Sequence, residues 1–73
     1  MTSKQHKMAM KLLSANGKVT LKELSLEIKE RVNSVYELDL FMEGKKTVLF
    51  LGSRTECIVT ADEYIQMRYQ IND

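Results

Sequence analysis

An α+β fold in the order helix, helix, helix, β-hairpin, helix is what this sequence predicts, and three observations predict it. Apolar residues recur at helical spacing through the first third of the chain. The capping-box pattern that opens a helix recurs along the chain, as in Thr20 with Glu23, Ser34 with Glu37, and Thr60 with Glu63. A β-branched and aromatic run, Thr47-Val48-Leu49-Phe50-Leu51, stands between the turn residues Glu43-Gly44-Lys45-Lys46 and Gly52-Ser53-Arg54.

The elements follow in order. Met8, Ala9, Met10, Leu12 and Leu13 form a broad apolar arc opposite Lys4, Lys7 and Lys11, predicting a first helix from about Ser3 to Ala15. Asn16-Gly17 is its stop signal. From Thr20, the stripe Leu21, Leu24, Ile28 and Val32 predicts a second helix, with Leu26 on its far side between Lys22 and Lys29. The stretch from Ser34 to Glu43 satisfies two periods. Tyr36, Leu38, Leu40 and Met42 alternate as on a strand, whereas Val35, Leu38, Phe41 and Met42 make a helical stripe. The capping box at Ser34, and Gly44 followed by Lys45 and Lys46, favour the helix. The run from Thr47 and a second run, Glu56-Cys57-Ile58-Val59-Thr60, predict a hairpin whose loop carries Arg54. A final helix opens at Thr60 and carries Tyr64, Ile65, Met67 and Ile71.

A chain of 73 residues reads as one domain over residues 1–73. A chain this small buries only about 60% of its unfolded surface. With 44% hydrophobic and 29% charged residues it falls outside the disordered class. Eleven Lys and Arg against ten Asp and Glu leave a net charge of +1, so any attraction to a polyanion must be local. A lone cysteine, Cys57, predicts a cytoplasmic protein without a disulfide. The Lys-interrupted segment Met1–Lys11 predicts no signal peptide, and the apolar run Val48–Leu51 is too short for a membrane span.

The segment Lys11-Leu-Leu-Ser-Ala-Asn-Gly-Lys-Val-Thr-Leu-Lys-Glu-Leu-Ser-Leu-Glu-Ile28 resembles the opening of DeoR-like bacterial winged-helix repressors. In these an apolar helix, Asn-Gly, a short Val-Ser/Thr strand and a Leu-x-Glu-Leu helix follow one another. Val35-Tyr36 stands where such proteins often begin their recognition helix. The resemblance spans about residues 8 to 60. It implies a winged helix, a three-helix bundle plus β-hairpin wing, here with an added C-terminal helix and with Lys18-Val19-Thr20 as the brief third strand. It also implies double-stranded DNA as partner and a bacterial or phage transcription regulator as function.

On that expectation Asn33 and Ser34 lie at the tip of the recognition helix, where short side chains reach a base edge or phosphate, or serve only as its cap. Lys45, Lys46 and Arg54 flank the wing and would clasp phosphates. Glu37, Asp39 and Glu43 on the outward face of the third helix repel phosphate and direct DNA contact to the tip and wing. The second expectation is a protein partner bound by Leu26, Tyr36 and Leu40, which the helical reading leaves outside the core. The final helix either packs on the domain or forms a homodimer seam.

Chemistry is expected to play no part. His6 and Cys57 are the single histidine and cysteine, too few for a zinc site or a nucleophile-base pair, and no glycine pattern cradles a phosphate. No cofactor, metal or catalytic residue is therefore expected.

Overall fold

The structure, a computed structural model, describes residues 1–72 and orders the elements helix, four strands, helix. Helix α1 spans Ser3–Asn16, strands β1 Lys18–Leu21, β2 Leu24–Val32, β3 Val35–Met42 and β4 Lys45–Gly52, and helix α2 Arg54–Arg68. The strands form one antiparallel meander in the order β1-β2-β3-β4. Both helices pack on the same face of it, α1 over the β1 side and α2 over β2, β3 and β4.

The first helix is as expected. Thr2 and Gln5 close a reciprocal capping box at its start, and Gly17 ends it at φ 76. Only a residue without a Cβ takes that left-handed conformation without strain. The brief strand at Lys18-Val19-Thr20 is present as β1.

Beyond it the winged helix gives way. A winged helix needs three helices and a small wing, whereas this chain builds a four-stranded sheet between two helices. The expected second helix is the end of β1, a turn, and β2. Its stripe residues Leu24 and Ile28 are spaced evenly enough to satisfy period 2 as well as 3.6, and Leu26 completes the alternation. Leu26 is fully buried, which no helix with Leu24 and Ile28 inward would allow.

The expected third helix is β3, the alternative its alternation permitted. Asn33 and Ser34 form the two-residue turn joining β2 to β3, both at positive φ (48 and 66), and Glu43 and Gly44 do the same between β3 and β4 (53 and 75). Such turns match the right-handed twist of the strands they join.

The expected hairpin after Thr47 is also corrected. Its first strand is β4, but Glu56–Thr60 lies inside α2. That helix begins at a capping box formed by Ser53 and Glu56 rather than at Thr60, whose hydroxyl instead donates to the Glu56 carbonyl within the helix. Cys57, Ala61 and Ile65, four residues apart, are fully buried against the sheet, and this outweighs the β-branched character of Ile58, Val59 and Thr60.

The core lies between the layers: Ala9 and Leu13 from α1, Val19, Leu24, Leu26, Ile28, Leu38 and Leu40 from the strands, and Cys57, Ala61 and Ile65 from α2. A bulge between Leu38 and Asp39, opposite Phe50 and Val48, half-buries Leu49 and Phe50 together against this core.

Candidate interaction surface

The DNA-contact residues expected from the sequence are divided between the two ends of the sheet, Asn33, Ser34 and Arg54 toward one and Lys45 and Lys46 at the other. Asn33 and Ser34 sit at the β2–β3 turn, and Lys45 at the opposite end of β3, beside the β3–β4 turn. Eight residues of extended chain, about 26 Å at 3.3 Å per residue, separate the two ends. Arg54 opens α2, and its guanidinium donates to the Ser14 carbonyl at the end of α1. The Lys46 ammonium lies 3.1 Å from Glu37 Oε2 and 3.7 Å from Asp39 Oδ2.

The protein-contact residues fare differently. Leu26 and Leu40 are core and Tyr36 is half-buried, its carbonyl accepting from Cys57 Sγ at 3.5 Å, so the three form no exposed patch.

Sheet alternation sends Glu37 and Asp39 to the face without helices, yet both are buried. Their cover is lateral, from long side chains on the flanking strands and not from a second layer. Arg31 donates to Glu37 Oε1 at 2.8 Å, and Lys29 stands across from Glu37 in the register. Both Asp39 oxygens lack a hydrogen bond of good geometry. A proton on Asp39 turns the two carboxyls into donor and acceptor. Burial, then the hydrogen bond and charge of Glu37, push Asp39 up to about 6. The Asp39 carboxyl beside it, then Lys46, hold Glu37 down at about 2 against its burial. The pair titrates as a unit and balances its charge within the sheet.

A run of exposed charge of one sign lies on α1. Lys4, Lys7 and Lys11 are exposed, α1 carries no acidic residue, and none of the three makes an ion pair among the described residues. His6 points the other way and donates to Asp62 of α2. Beside the lysines, Met8 is 52% and Leu12 40% exposed. They line a shallow groove with Gln5, Val19 and Leu21 along the β1 side. Contiguous exposed apolar side chains beside a cationic rim are the composition of a contact surface more than of a solvated face. The sequence carries this signal as the lysine stripe; Met8 and Leu12 belong to the apolar arc of α1 and stay exposed because β1, not a second helix, borders them.

A second groove lies at the other side of the sheet, lined by Leu49 of β4 and Thr60, Glu63, Tyr64 and Met67 of α2. Met67 is 80% exposed.

Among the described residues no three His, Cys, Asp or Glu side chains converge on a metal-sized site. Cys57 is buried, and burial pushes its thiol up, away from the thiolate that nucleophilic attack requires. Among the described residues no helix is long and apolar enough to cross a membrane. Comparison with protein-family models, with curated proteins and with solved structures finds no match to this chain.

Proposed function

We propose that this chain is a non-enzymatic interaction domain that binds an acidic, partly apolar protein surface through the flank formed by α1 and β1. The observation that carries this reading is the composition of that flank: Lys4, Lys7 and Lys11, without an acidic neighbour on their helix, beside the exposed side chains of Met8 and Leu12. Burying Met8 and Leu12 supplies a non-directional driving force, and the lysines select a partner of opposite charge and orient it. Double-stranded DNA would use the lysines but leave the apolar pair without a role.

Site-specific photo-crosslinking tests the reading. With a photoreactive residue at position 12, adducts with protein are expected in the native cell. They should be absent with the photoreactive residue at position 33 and lost in Lys4→Glu/Lys7→Glu/Lys11→Glu. The purified domain should not retain duplex DNA at low salt. DNA binding that weakens with salt at a log–log slope of about −3, the value for three phosphate contacts, and disappears in the triple variant would replace the protein partner by nucleic acid.

A further inference from the structure

The two grooves lie at opposite sides of the sheet and differ in charge, and the spacing of that charge is the same on both. On α1, Lys4, Met8 and Lys11 follow one another at i, i+4 and i+7; on α2, Glu56, Thr60 and Glu63 do so, with Met67 one turn further. Seven residues of helix separate the two lysines and the two glutamates alike, about 10.5 Å along each axis. The other charges of α2 are engaged within the chain. Asp62 accepts from His6, Arg54 donates to Ser14, and Arg68 lies 3.8 Å from Glu23. Glu63 is exposed and lines the groove on the side of α2 away from α1, and Glu56, whose Oε1 accepts from the Ser53 N–H, is exposed two turns before it.

The chain already contains the packing that would join these flanks. His6 faces Asp62 and Ser14 faces Arg54, so α1 and α2 run antiparallel in a defined register. Moving a second copy sideways in the plane of the sheet sets its α1 against the free side of α2 in the same antiparallel sense. Within one residue of that register Lys4 then meets Glu63 and Lys11 meets Glu56, while Met8 meets Thr60 and its apolar neighbours Tyr64 and Leu49.

Resting on the reading of the α1 flank as a protein-binding surface, we infer that the partner it fits is a second copy of this chain. The α2 flank of one copy docks on the α1 flank of the next, head to tail. The contact is heterologous, so it propagates instead of closing as a two-fold dimer. Its side-chain contacts lie in the helix layer, above the edges of β4 and β1. The β4 edge opens with Lys45 and Lys46 and faces a bulge, devices that oppose edge-to-edge pairing.

Sedimentation of the purified chain tests this. The weight-average mass is expected to rise about twofold between micromolar and millimolar protein, as a Kd in the high micromolar range dictates, and to fall back as salt is added. Lys4→Glu weakens one flank and Glu63→Lys the other, at exposed positions, so each should stay folded by circular dichroism and lose the rise in mass with concentration. The variant carrying both changes presents the Lys4–Glu63 pair with its charges exchanged and should self-associate again. A wild-type chain that stays monomeric at millimolar concentration and low salt overturns the inference. So does a double variant that is folded but monomeric. Photo-crosslinks from position 12 to another protein, with the wild type monomeric, would overturn the head-to-tail contact and leave the α1 flank as the binding surface.

Discussion

Strand β3 shows two ways of burying a side chain. On one face Leu38 and Leu40 lie beneath the helices; on the other Glu37 and Asp39 have no layer above them, and all four are buried. The leucines are held by area removed from water, a term that ignores pH and salt. The carboxyls are held down by the side chains of Arg31, Lys29 and Lys46, whose own exposure keeps water near. Replacing buried ion pairs by apolar residues is often neutral or stabilising, so the carboxyl face need not add stability while the leucine face must.

The largest expected effect is therefore on the helix-covered face. Leu38→Ala removes a fully buried side chain from the centre of the core and should cost about 3 kcal/mol, with the cavity left between β3 and α2 adding to the lost transfer energy. For a domain of this size that is a fall in Tm of more than about 10 °C, and it should be the same at pH 4 and pH 7. A cost that changes with pH would mean that the two faces are coupled. Lys46→Met should cost less, because Lys46 is 42% exposed and water replaces it in part. That cost should depend on pH. It is expected to be greatest above pH 6, where both carboxyls are charged, and smaller near pH 4, where one proton is shared. Urea titrations at the two pH values measure both.

The comparison also explains which parts of the fold were legible. Five segments of this chain match the capping-box pattern, and two of them cap helices, at Thr2 and Ser53. At Thr20 and Ser34 the pattern falls on strand and turn, and at Thr60 inside a helix, because the pattern supplies side chains but burial decides whether a helix follows. Leu26 was the discriminating residue. A helix leaves it outside and a strand fills it in, and only the presence of a second strand to pair with could decide between them. The turns were hidden for another reason. Ser34, Glu43 and Glu23 take positive φ, which their identities do not advertise, and only Asn33 and Gly44 carry the usual signal. The first helix and its Gly17 stop were legible because they depend on local contacts alone. The lysine stripe of the candidate surface was legible too. Its apolar half was not, since exposure of Met8 and Leu12 depends on what lies beside α1.

The smallest effect separates the two faces most cleanly. Asp39→Asn keeps the size of the side chain and removes the charge. In the wild type, Asp39 is raised from 3.8 to about 6, so between these pH values the folded chain holds a proton that the unfolded chain has released. Stability contributed by Asp39 is therefore full below about pH 4 and is lost as pH rises to 6. Glu37, lowered from 4.5 to about 2, acts in the opposite sense, its contribution being present above pH 4.5 and lost as pH falls to 2. The two together place the pair's best stability near pH 4. In Asp39→Asn the amide donates to Glu37 at every pH, in place of the shared proton, so the decline from pH 4 to 6 should vanish while the loss below pH 4 remains. A decline of wild-type size in thermal melts of the variant would show that Asp39 does not hold the proton, and the burial of that face would then need another cause.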